Sequence, residues 1–189
     1  MKTLNVTITG TRDLLMHNGQ TADPSNKYAK MMKEISGKRK KVDADYDRMS
    51  EIEFMAGLYL NQGKIFLPGT VLEATIINGA KKSKLGKQFA AAILVPGISS
   101  LTFAGPSTPA DRWADAEKYA FKVGVRVGQA KVIRTRPVFH NWTCDFTLEF
   151  DDSLISLAEV KEALKVAGEQ VGVGDWRPRF GTFEITNIR

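Results

Sequence analysis

Trp142–Phe150, WTCDFTLEF, alternates without a break: Trp142, Cys144, Phe146, Leu148 and Phe150 fall on one side, Thr143, Asp145, Thr147 and Glu149 on the other. A side-chain period of two is the mark of a strand with one buried and one wet face. The same reading applies to the start of the chain, where Leu4, Val6 and Ile8 alternate with Asn5, Thr7 and Thr9 and the strand ends near Gly10. These two segments anchor a sheet.

Helices fall between strands. KIFLPGTVLEATIINGAKKSK predicts a short strand, a Pro-Gly turn and a helix opened by Thr70 with Glu73 as reciprocal cap; Val71, Leu72, Ile76 and Ala80 form its buried stripe. Ser156 and Glu159 repeat the capping spacing ahead of LAEVKEALKVAGEQ. FAAAILVPG and LTFAGP read as strands, and Thr108 with Pro109 opens a helix in TPADRWADAEKYA. KVGVRVGQAKVIRTRPVF is β-rich, with Val123, Val125 and Val127 on one face and Arg126 on the other. TFEITNI supplies a last strand. From Lys27 to Leu60 the pattern is patchier, part helix and part loop, with a capping box expected at Ser50 and Glu53. The order fits a split βαβ plan in which two helices cover one face of an antiparallel sheet and leave the other face and the loops open to a ligand.

The chain has 189 residues, 43% hydrophobic content and no Pro/Ser-rich linker, which suits one domain with insertions at about 20–62 and 96–122. Cys144 is its only cysteine, which excludes an internal disulfide and a multi-cysteine metal site and points to a reducing, cytoplasmic setting. No apolar run approaches the roughly 18 residues of a membrane span. DADYD imitates the opening of a calcium loop, but Arg48 stands where glycine is needed and Phe54 where glutamate is. No metal, cofactor, Walker loop or serine-nucleophile motif is expected.

The net charge of +6 is unevenly distributed. Residues 24–41 hold Lys27, Lys30, Lys33, Lys38, Arg39, Lys40 and Lys41 against Glu34, and Asp43, Asp45, Asp47, Glu51 and Glu53 follow directly. Such separation suits an electrostatic groove or head-to-tail self-association. Lys81, Lys82, Lys84 and Lys87 cluster after the first long helix, and Lys122, Arg126, Lys131, Arg134 and Arg136 share a segment without an acid. Near the end, GVGDWRPRFG (172–181) joins glycines able to take positive φ to a ring for stacking, Trp176, and two guanidinium groups for phosphate, Arg177 and Arg179.

GVGDWRPRFG, placed between a final helix and a final strand, resembles the glycine-rich loop of the RAMP superfamily, the ferredoxin-like RNA-binding proteins of CRISPR systems. FLPGTVLEATIINGAKK resembles the strand, Ile-Pro-Gly-Ser-Ser turn and helix of that superfamily's guide-RNA-lining backbone subunits, although Val71-Leu72-Glu73-Ala74 stands where Ser-Leu-Lys-Gly is usual. LNVTITG with LLMHNG is similar to the family's opening. The resemblance implies an α+β, ferredoxin-like (RRM-like) fold with inserted arms, and a compact relative of the kind a phage or mobile element encodes.

The expected function is binding of single-stranded RNA or DNA with little sequence preference, as a homo-oligomer or filament along the strand. The candidate contacts are Arg12, His17, Asn18, Lys38 to Lys41, the four lysines after the helix, Arg126, Arg134, Arg136, His140, Gly172, Gly174, Trp176, Arg177 and Arg179, with Phe139 and Trp142 left in the core. Two alternatives are a RAMP-type endoribonuclease using His17 or Asp23, and a subunit mimic that binds a protein complex.

Overall fold

A computed structural model of the chain covers residues 1–189, with the side chain of Val127 outside the described set. In chain order the strands are β1 (Lys2–Gly10), β2 (Leu14–Leu15), β3 (Leu60–Asn61), β4 (Lys64–Pro68), β5 (Ile93–Leu94), β6 (Ile98–Thr102), β7 (Ala120–Val127), β8 (Ala130–Phe139), β9 (Thr143–Phe150) and β10 (Phe183–Ile188). The helices are α1 (Lys27–Ser36), α2 (Asp43–Gly57), α3 (Gly69–Lys81), α4 (Gly86–Ala92), α5 (Pro109–Ala114), α6 (Ala116–Tyr119) and α7 (Leu157–Val166). The chain is α+β and folds as two compact units: Met1–Leu14, Ile65–Ala104 and Phe139–Arg189 form the first, Leu15–Lys64 and Gly105–Val138 the second.

The first unit is built on an antiparallel sheet in the order β10-β1-β9-β6-β4, with β5 also paired to β9. Alternation decides which face is apolar. Val6 and Ile8 of β1 and Cys144, Phe146, Leu148 and Phe150 of β9 are buried, and the register sets Ile8 opposite Cys144. Leu72, Ile76 and Ala80 of α3 and Val160, Ala163 and Leu164 of α7 complete this core. Full burial of each large apolar side chain contributes about 1.5–3 kcal/mol. The thiol of Cys144 is pushed up to about 12 by burial, so it is an inert packing group.

Two helix starts are as expected, α5 with Thr108 as cap and Pro109 following, and α7, while two are corrected. At α7 the Ser156 hydroxyl accepts the Glu159 N–H at 3.3 Å and Glu159 accepts the Ser156 N–H at 2.7 Å, bonds that hold the Glu159 carboxyl below its usual range. At α3 the cap position is Pro68, whose φ of −64° suits an extended residue before a helix. Thr70 therefore already lies inside the helix, and Glu73 accepts the Val95 N–H at 3.2 Å instead of closing a box. The expected box at Ser50 and Glu53 does not form because α2 begins at Asp43, where Asp45 accepts the Val42 N–H at 3.1 Å. FAAAILVPG is also not a strand: Phe89–Ala92 close α4, in keeping with the helix preference of alanine, and β5 is only Ile93–Leu94.

In the second unit α1 packs on α2, yet none of its residues is fully buried; Tyr28, Met31, Met32 and Ile35 are half-buried. α2 buries Ile52, Phe54 and Ala56, and the Phe54 ring meets Trp113 at 5.3 Å. β7 and β8 form a hairpin with Val123 opposite Arg134 and Arg126 opposite Lys131. Arg112 is fully buried, donates to the carbonyls of Pro106 and Val138, and lies 4.3 Å over the Tyr119 ring. Burial lowers its pKa to about 10, which leaves it charged at neutral pH. Among the described residues no helix is long and apolar enough to cross a membrane.

Trp142 packs tightly against the end of β1. A Cβ built on Gly10 would stand 2.1 Å from Trp142 Nε1. Gly10→Ala is therefore expected to destabilise by about 1–3 kcal/mol, read as a lower urea midpoint with an unchanged slope. In the unsubstituted protein, labelling of Cys144 by a thiol reagent should follow global unfolding; rapid labelling of the native protein would contradict its burial.

Candidate nucleic-acid interface

The loop after α7 is shaped by its glycines. Gly172, Gly174 and Gly181 have φ of 77°, 84° and 74°. Gly181 is the least replaceable, because a Cβ there would meet Val173 O at 1.8 Å. Val173 N–H donates to Gly181 O at 2.8 Å, which closes the loop, and Gly181 N–H donates to Asp13 O at 2.8 Å, which ties it to the segment after β1. Arg12 Nη1 donates to Pro178 O at 3.1 Å and Thr11 N–H to Thr182 O at 2.9 Å. Gly172 is buried and serves this frame, a correction to its expected place among the ligand contacts. Arg12 acts on the loop through its guanidinium.

The closed loop presents Trp176 outward. This residue has φ 55° and is 43% exposed, its ring stacks on Phe180 at 6.3 Å, and its backbone N–H donates to Asp175 Oδ1 at 2.9 Å. Trp176, Gly174 and Arg177 line a cavity of about 670 Å³ together with Asn78, Lys81 and Lys82 from the end of α3. Three cations and one carboxylate, Asp175, thus line the same cavity as an indole. Lys81 Nζ is steadied by Asn78 Oδ1 at 2.9 Å, so the amide positions the ammonium. Arg179, Lys84 and Lys87 are exposed but not part of this lining.

The second unit uses several candidates for its own fold. Glu53 accepts from Arg136 at 2.8 Å and from Arg134 at 3.3 Å, and from the Thr135 N–H at 2.9 Å. Arg136, only 13% exposed, is a structural cation rather than a ligand contact; Arg134, at 42%, keeps an open side. The acids of α2 are engaged locally as well, Asp45 by Lys38 at 2.5 Å and Glu51 by Arg48 at 2.6 Å. The acidic run expected to face a neighbour is in large part internally neutralised. Lys41 donates to Lys38 O at 3.1 Å, Arg126 to Gly128 O at 3.2 Å, and Arg39 and Lys40 are exposed.

The two expected catalytic candidates have separate surroundings. Asp23 accepts from the Ser25 N–H and hydroxyl, each at 2.8 Å, which lowers its pKa and makes it a poorer base. His17 is exposed, and its carbonyl accepts from the Tyr59 hydroxyl at 3.2 Å, a neighbour that spacing did not reveal. Asn18 is held by Leu58 O at 3.2 Å and Gly57 O at 2.9 Å. His140 belongs to the first unit, where its Nδ1 lies 2.9 Å from Asp13 Oδ1. Among the described residues no group of three or more His, Cys, Asp or Glu side chains could hold a metal ion.

The wet face of the first sheet differs from a stacking platform. Thr7 donates to Asp145 at 2.6 Å, Thr9 shares a hydrogen bond with Thr186 at 3.2 Å, and Thr147 donates to Asn5 at 3.4 Å. Hydroxyls offer no ring for a base to stack on and the Asp145 carboxylate repels phosphate, so the loop rather than this face is the candidate site. No protein-family model matches the chain, and no curated protein matches it.

The tryptophans should separate by quenching. Trp142 is fully buried and Trp176 is 43% exposed, so Trp176→Phe is expected to remove the emission most accessible to acrylamide. Retention of that component would place the exposed indole elsewhere.

Proposed function

We propose that the protein binds single-stranded RNA or DNA with little sequence preference, and that its first unit is a ferredoxin-like module of the RAMP kind. The strand order β10-β1-β9-β6, with α3 between β1 and β6 in the chain and α7 between β9 and β10, supports the split βαβ reading. The carrying observation is the cavity of about 670 Å³ that Lys81, Lys82 and Arg177 line together with Trp176. Cations neutralise phosphates, while an exposed indole takes an unpaired base of any identity because every base has a π-face. A base in a duplex must break its stacking and pairing to reach such a ring, a cost that favours single strands.

The test is anisotropy of labelled single-stranded RNA, single-stranded DNA and duplex across a salt series. Lys82→Ala with Arg177→Ala is expected to weaken single-strand binding at least about tenfold and to flatten the salt slope by about 1.4, two contacts at roughly 0.7 each. Lys161→Ala with Lys165→Ala removes the same charge from α7 and should leave both quantities close to the parent values. Equal losses from the two pairs, or none from the first, would remove the cavity from the binding role.

A further inference from the structure

The loop cavity holds more positive charge than a nucleotide in mid-strand requires. Lys81, Lys82 and Arg177 line it with a single carboxylate, Asp175, which leaves a net charge of +2 beside one indole. A phosphodiester carries one negative charge, whereas a phosphate monoester carries close to two at neutral pH. The lining is also set in place by the fold. The Lys81 stem lies over Gly86, where a Cβ would stand 2.4 Å from Lys81 Cγ, and its Nζ donates to Asn78 Oδ1 at 2.9 Å. Trp176 keeps φ at 55°, a left-handed backbone that is strained for so bulky a residue and belongs with functional positions.

The neighbouring surface supplies a second argument. Gln170 lines the loop cavity, and the residue before it, Glu169, lines another of about 420 Å³ between α7 and β10. That second cavity sets Glu162, Glu169 and Glu184 against Lys161 and Lys165, a net charge of −1. A strand running on past Gln170 would bring its next phosphate to this acidic wall. Like charges repel, so the strand has no favourable continuation on that side.

We propose that the loop cavity is an end-binding site: it takes the terminal nucleotide of a single strand, with the base against Trp176 and a terminal phosphate monoester among Lys81, Lys82 and Arg177. This rests on the nucleic-acid reading above and narrows it from any stretch of strand to a phosphorylated end. A guanidinium bonds two phosphate oxygens at once, and a monoester offers three terminal oxygens where a diester offers two. The two ammonium groups then match its second charge. Stacking on an indole leaves the identity of the terminal base open.

The experiment compares one sequence, as RNA and as DNA, labelled internally and prepared in four forms: hydroxyl-ended, 5′-phosphorylated, 3′-phosphorylated and closed into a circle. One phosphorylated form should bind the parent protein at least about tenfold more tightly than the hydroxyl-ended form, because charge-assisted bonds are gained. The circle should bind no better than the hydroxyl-ended strand, and the end that gains fixes the polarity. A nucleoside monophosphate of that polarity should displace the strand at higher concentration, and the bare nucleoside should not. Lys82→Ala with Arg177→Ala should abolish the preference for a phosphorylated end, while Lys161→Ala with Lys165→Ala should keep it. The ligand comparison uses the unsubstituted protein and holds even if a variant fails to fold. Equal binding of all four forms, or a phosphate preference that survives Lys82→Ala with Arg177→Ala, overturns the end site and leaves single-strand binding intact. A mononucleotide that binds as tightly as the phosphorylated strand makes the ligand a free nucleotide and overturns it as well. Failure of the parent protein to bind any single strand overturns both readings.

Discussion

The first unit depends on how Trp142 is seated. Its indole lies where Gly10 leaves no side chain, its N–H holds the Arg12 carbonyl, and its own carbonyl takes the Gly10 N–H at 2.8 Å. The ring also meets Phe183 of β10 edge-on at 6.4 Å. Residues 10–13 are thereby held as a short rail beneath the glycine loop, with Thr11, Arg12 and Asp13 each bonded to it. Core packing and the candidate site are one construction, since the residues that bury the indole also aim the loop.

Charge in this chain is more ordered in space than in sequence. The acids of α2 look like an exposed run when read linearly, but Glu53 binds two arginines from β8 and Asp45 binds Lys38. The cations at the end of α3 are different: Lys81 and Lys82 share a cavity with Arg177, and Asp175 offsets only part of their charge. Surface ion pairs are individually weak, so the ligand-facing excess of charge matters more here than the count of bridges.

Periodicity made the sheet legible. The alternation in β1 and β9 identifies both strands and their buried faces, and the Ser156 cap and the Thr108–Pro109 start also follow from local chemistry. The alanine run before β5 misleads because three small residues suit a helix as well as a buried strand. The start of α2 is hidden because its cap is an aspartate reaching back to Val42, not the serine and glutamate inside the helix. For the site, the residue types of the glycine loop and Lys81 and Lys82 were visible, and only the fold brings them round one cavity. Asp13 gave no signal, because its partner His140 is remote in sequence and near in space. Buried Arg112 was equally hidden, since an arginine between Asp111 and Trp113 in an amphipathic helix reads as a surface residue.

β1 lies between β10 and β9, so it is flanked on both sides by strands that are remote from it in sequence. Neither neighbour exists while the residues between β1 and β9 are being synthesised. The central sheet cannot assemble in the order of translation, and its pairing is dominated by non-local contacts, the class that folds slowly. Until β9 and β10 arrive, β1 exposes Val6, Ile8 and two unpaired edges, the combination that invites pairing with another chain. Its alternate threonines and asparagine keep one face polar during that interval, so the hydroxyl-lined surface that is quiet in the finished fold has a part to play before the fold exists.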